Sequence, residues 1–152
     1  MKTLLDAAVT AQTLDRLSRL QPSARGLWGR MNAHQMVCHL CDSFRIGLGE
    51  REVSPASSAL QRTLVKTIAL RAPLPWPKGV QTRPEADQEI GGTPPVNFAN
   101  DVRDLVEIIR RFAGHDRERE FGAHPTFGAM SEWEWMRWGY LHPDHHLRQF
   151  GL

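Results

Sequence analysis

Apolar residues recur every three or four positions along most of the chain, the period of helices packed on one side. Leu4, Leu5, Ala8, Ala11, Leu14, Leu17 and Leu20 predict a first helix over residues 3–20. A loop over 21–31 follows, punctuated by Pro22 and two glycines, with Trp28 expected to plug the end of a helical bundle. Asn32 with Gln35 three residues on has the form of a capping box. It opens a second helix that runs to about Gly47 or Gly49, with Met36, His39, Leu40, Phe44 and Leu48 along one stripe. A shorter third helix is expected over 56–70, with Leu60, Leu64, Val65 and Ile68 inward. In the fourth, which starts near Asn97, Phe98, Val102, Leu105, Ile109 and Phe112 step by four, three, four and three, and Gly114 is a plausible stop. Ser131 and Glu134 form a second capping box, the start of a last helix within 131–152.

Between the third and fourth helices, residues 71–96 hold six of the ten prolines and show no period. A connection of this length within one domain is functional, mobile or a belt over the bundle, with Trp76 as its anchor in the last case. Residues 115–130 form another loop, and no segment reads as a strand. The expectation is an all-α single domain over 1–152: a four-helix bundle with an extra short helix and long connecting loops.

Composition narrows the partners. A chain that is 41% hydrophobic and 24% charged matches a soluble globular domain. Its formal net charge of +2 gives no electrostatic reason to expect nucleic acid or an anionic membrane. Asp6 and Asp15 break the apolar N-terminal residues, which therefore read as an amphipathic helix and not a signal peptide. No apolar run is long enough to span a bilayer. Two cysteines, Cys38 and Cys41, are too few for a disulfide scaffold and fit a reducing cytoplasm.

The chemistry concentrates at the C-terminus, SEWEWMRWGYLHPDHHLRQFGL. His142 and His146 lie four apart, one turn above the other on a helix, so both can hold one metal ion. His39, in the apolar stripe of the second helix, is the best third ligand, since a buried imidazole needs partners for its nitrogens. Three neutral imidazoles suit zinc, nickel, iron or copper and leave a position open to water or substrate. Trp135, Trp138 and His142 step by three and four, so the two indoles are candidate walls of a substrate pocket; core packing is the plainer reading. Pro143, between the two histidines, predicts a kink or bulge, with Gly139 relieving the crowding. His145 is expected to point away from the pair. His34 lies where the helix dipole disfavours a cation. His115 and His124 fall in a loop and receive no role. Cys38 and Cys41 sit mid-helix, where the dipole cannot activate a C-x-x-C pair, and read as packed small residues. Asp42 reads by default as half of a surface ion pair with Arg45; the alternative is a supporting role behind the ligand His39. Arg148 and Gln149 are placed to cap the pocket or the chain end.

QMVCHLCDSFR followed much later by HPDHHLRQFG resembles the DinB-like superfamily, also described as YfiT-like metal-dependent enzymes, over nearly the whole chain. The resemblance implies a four-helix bundle and metal ligation by one histidine of the second helix plus an H-x-x-x-H pair in the last, here His39, His142 and His146. It also implies one divalent transition metal, zinc or nickel before iron, and a low-molecular-weight thiol as a possible cofactor. The expected activity is then thiol transfer to, or hydrolysis of, a small electrophilic molecule. A homodimer is the expected assembly, favoured if the first or fourth helix exposes apolar surface. The alternative is a non-catalytic binding module whose histidines are structural.

Overall fold

The computed structural model describes residues 1–56, 58–114 and 121–152. They form five α-helices: α1 (Ala7–Ser18), α2 (Ala33–Gly47), α3 (Lys66–Arg71), α4 (Phe98–Ala113) and α5 (Glu132–Gln149). Among the described residues there is no strand, only an isolated bridge between His124 and Gly128. None of these helices is long and apolar enough to cross a membrane. His115 lies outside the described residues.

α2 is the central element. Asn32 caps it in a reciprocal box with Gln35, and side chains around its whole circumference, from Met36 and Val37 to Phe44, are buried. It packs against α4 and α5, and α1 packs on α5. α4 turns Leu105, Ile108, Ile109 and Phe112 inward, each worth roughly 1.5–3 kcal/mol of transfer free energy before entropy is counted. Gly114 ends α4, donating its N–H to Arg110 and Phe112 without a left-handed backbone. α5 starts on the Ser131–Glu134 box and runs unbroken through the buried Pro143 to Gln149. Gly139 serves close packing here: a Cβ would stand 2.9 Å from both Leu4 and Phe112. Polar fasteners complete the frame. Asp144 bridges Arg16 of α1 and Arg148 of α5, and the buried Arg137 guanidinium donates to the Leu70 and Lys2 carbonyls.

Two inward faces differ from expectation. Asp6 caps α1, accepting from the Ala8 and Val9 amides. The helix therefore starts later than residue 3, and residues before it dock separately, Leu4 donating its N–H to Met136. Val9, Thr13 and Leu17 become the buried stripe, whereas Leu5, Ala8 and Ala11 face solvent. Before α3, the backbone makes a π-helical turn, Gln61–Val65, whose wider winding rotates the face that a 3.6-residue period assigns. Leu60, Leu64, Val65 and Ile68 are exposed as a result, and Leu70 is the buried residue of α3. None of the exposed large apolar side chains lies on α4, and Leu5 precedes α1.

Candidate metal centre and its cavity

His39 sits halfway along α2, where both flanks of the helix are buried, so its imidazole is removed from water. Its Nδ1 lies 2.9 Å from the Ala86 carbonyl. A carbonyl only accepts, so Nδ1 carries the proton and Nε2 presents a lone pair. On α5, His146 places Nδ1 2.9 Å from Gln149 Oε1, while the amide nitrogen of the same Gln149 donates to the Trp28 carbonyl at 2.6 Å. That orients Gln149 as acceptor and leaves His146 with a free Nε2 as well. His142 brings its Nε2 to 3.1 Å from that of His39. The three rings stand 4.9–5.1 Å apart between centroids.

This donor set fits a transition metal. The three histidines each offer one nitrogen within 4.8 Å of the others. Two nitrogens bound to one tetrahedral zinc stand about 3.3 Å apart, close to the His39–His142 separation. Burial lowers the pKa of His39, and it lowers those of His142 and His146 well below the ordinary imidazole value, helped by the neighbouring histidines. All three therefore offer neutral imidazoles. A metal-ligating histidine commonly donates its second N–H to an oxygen, as His39 and His146 do.

A second layer holds the Ala86 carbonyl in place. Asp42 pairs with Arg45 at 3.6 Å, as expected, but its carboxylate is fully buried and not at the surface. Its carboxylate accepts from the Thr93 amide at 2.7 Å, from Thr93 Oγ1 at 2.7 Å and from Gln88 Nε2 at 3.1 Å, and it pairs with Arg51 at 3.2 Å. Arg51 in turn donates to the Glu85 and Gly91 carbonyls. The segment 84–93 is thus tied to α2, and its short 3₁₀ turn, Pro84–Ala86, delivers one carbonyl to His39. The interior of α2 dictates this arrangement, because a buried carboxylate must find donors.

Above the three histidines opens a cavity of about 660 Å³. Its walls include Val65, Ile68, Trp76, Phe127, Trp135 and Trp138, and their apolar surface far exceeds the polar. Val65 and Ile68 thus overhang a pocket and do not fill the core. Trp76 donates its indole N–H to the Ala69 carbonyl and tilts over His142 and His145. It anchors the 71–96 belt, as expected, and also roofs the site. Trp135 and Trp138 are both buried and both reach the cavity, and Trp138 stands 5.0 Å from the His142 ring.

A family model described as "Protein of unknown function (DUF1569)" matches residues 2–151. The chain belongs to this family. No curated protein matches it, and no solved structure does.

Around the same cavity lie residues that the sequence did not single out for it. His145 was expected to face away, yet it lines the pocket, wedged between Trp28, Trp76 and His146. The reason is that loop residues, and not another helix, cover that flank of α5. His124 also reaches the pocket, from a loop where no periodicity could assign it a face. Gln149, which the sequence placed as a cap of the pocket or of the chain end, does not line the cavity and instead holds His146 from behind. The remaining candidates are structural. Cys38 and Cys41 are buried thiols whose pKa values burial pushes up to about 12, so neither is a nucleophile.

Proposed function

We propose that this chain is a metal-dependent enzyme of the DinB-like four-helix-bundle type, acting on a small electrophilic molecule. His39, His142 and His146 would hold one divalent transition metal, zinc or nickel before iron. The observation that carries the reading is the convergence of these histidines beneath one largely apolar cavity, with His39 and His146 each having Nδ1 committed to an oxygen and each ring offering one nitrogen to the cluster. A metal held there supplies a Lewis acid that lowers the pKa of a small thiol or of water. The chain's own residues do the rest. Ala86 and Gln149 fix two imidazole tautomers, Asp42 holds the loop that carries Ala86, and the walls formed by Trp76, Trp135 and Trp138 exclude water and take the apolar part of the substrate. In thiol transfer, the thiol proton leaves to solvent, sulfur bonds to the electrophilic carbon, and the leaving group departs with the electron pair of its bond.

Support for catalysis over a sealed structural site comes from the three-nitrogen donor set and the open space beside it. The test is to load the purified protein with zinc or nickel, quantify the metal, and follow glutathione with 1-chloro-2,4-dinitrobenzene by thioether absorbance. The expected result is one equivalent of metal and turnover that chelation abolishes. Metal binding without turnover of this or a panel of ester and aryl-halide electrophiles would favour the non-catalytic module. Cytoplasmic location and a homodimeric state remain parts of this reading, to be checked by fractionation and light scattering.

A further inference from the structure

His124 is held more tightly than a loop residue needs to be. Its N–H donates to the Gly128 carbonyl at 2.9 Å, and its carbonyl accepts from the Gly128 amide at 2.8 Å, closing a five-residue turn. Gly128, at φ 67°, supplies the left-handed backbone that closure requires. Inside that turn the Thr126 and Phe127 amides both donate to His124 Nδ1, each at 3.1 Å. Nδ1 is therefore an acceptor twice over and carries no proton. The imidazole proton must sit on Nε2. The ring stacks on Phe127 with centroids 4.5 Å apart and 15° between planes, and it abuts Trp135 and Trp138. Burial pushes its pKa down to about 3, so the ring is neutral at physiological pH.

The result is a neutral N–H donor of fixed tautomer on the wall of the metal cavity. Among the described residues Nε2 has no hydrogen-bond partner, and it is not among their sealed, unpartnered side-chain atoms. The neighbouring Trp135 ring, 5.6 Å away between centroids, carries an indole N–H that is sealed without a partner among the described residues. Trp138 touches both His124 and His142, so one indole separates His124 from the histidine centre. An unpaired donor on a largely apolar wall selects an oxygen acceptor, since a buried donor left unpaired is costly.

We propose that His124 is the oxygen-binding donor of the cavity: its Nε2–H hydrogen-bonds a carbonyl or carboxylate oxygen of a substrate whose apolar body lies against Trp76, Ile68 and Phe127. The substrate class is then a small aryl or alkyl molecule with one oxygen-bearing head. This rests on the metal-enzyme reading above for the presence of a substrate, but the donor itself is a property of the chain. A neutral imidazole serves better here than a cation, because it donates without a charge that must be desolvated on each opening of the pocket.

The test uses benzoate as probe and ¹⁵N-histidine-labelled full-length protein. At pH 7 without metal, the His124 nitrogens should show the neutral Nε2–H tautomer. After zinc loading, benzoate should shift the His124 Nε2–H resonance. An Nδ1–H tautomer, or zinc uptake with benzoate bound and the His124 resonance unmoved, overturns the proposal and leaves the metal site standing. Failure to bind zinc at all, with the Nε2–H tautomer present and shifted by benzoate, overturns the metal reading and leaves this donor standing. His124→Phe should weaken benzoate binding by about tenfold, whereas His124→Gln, whose carbonyl can take the two amides and whose NH₂ can donate, should restore most of it. Equal weakening by both variants, each folded by circular dichroism, would contradict a donor role.

Discussion

α2 carries two histidine clusters only five residues apart, and they have opposite fates. His34 donates to Asp101 Oδ2 at 2.6 Å, and that oxygen also accepts from the Val96 and Asn97 amides. Cys38 Sγ lies 3.8 Å away. By distance alone, His34, Cys38 and Asp101 could hold a cation, just as His39, His142 and His146 could. Yet the first cluster has its acceptor saturated, its thiol protonated by burial, and the start of α4 fastened by it. In the second, oxygens outside the cluster take the Nδ1 protons of His39 and His146, and each of the three rings offers one nitrogen to the others beside a cavity. Proximity of ligand types does not make a centre; unclaimed lone pairs that converge do.

The sharpest way to break this comparison is to delete one histidine from each cluster. His39→Ala should take metal content from about one equivalent to near zero, while His34→Phe should leave it unchanged, as read by elemental analysis. The next effect in size concerns acid. His39, His124, His142 and His146 all have folded pKa values below the free imidazole value. Below about pH 6.5 the unfolded chain binds protons that the folded chain does not, so stability is complete above that pH and falls beneath it. The slope approaches about 1.4 kcal/mol per pH unit for each group until its folded pKa is reached. For His124 that window extends down to about 3. Denaturant melts of metal-free protein at pH 7.5 and 5 should show the loss; equal midpoints would mean that the rings are not buried neutral.

Asp42→Ala comes third. It leaves Arg51 and the 84–93 segment without their anchor and should cost about 3–5 kcal/mol in urea unfolding, with metal affinity falling as Ala86 moves. Gln149→Leu should retain the fold but weaken metal binding by about 10–100-fold, because His146 loses the acceptor that fixes its tautomer. Competition with a chromophoric chelator measures it. Gly29 is the backbone counterpart: it has φ 78°, and a Cβ there would stand 2.5 Å from Gln149 Nε2. The smallest effect is that of His34→Phe on stability, about 1–2 kcal/mol, from the unpaired Asp101 oxygen.

Much of the frame could be read from the chain because its signals are local. Both capping boxes, the α4 face and the H-x-x-x-H spacing depend on residues three or four apart, and all of them appear as read. The inward face of α3 could not, because a π-helical turn breaks the period on which such a reading rests. Asp42 looked like a surface residue since its donors, Thr93 and Gln88, are about fifty positions away. His124 gave no sequence signal, because its role depends on a turn closing around its own Nδ1.

Zinc K-edge X-ray absorption on protein loaded with one equivalent tests the central claim most directly, since it reads ligand atoms and not affinity. The account expects three imidazole nitrogens at about 2.0–2.1 Å and no sulfur. A sulfur scatterer at about 2.3 Å would place the metal on Cys38 beside His34, and the contrast between the two clusters would be wrong.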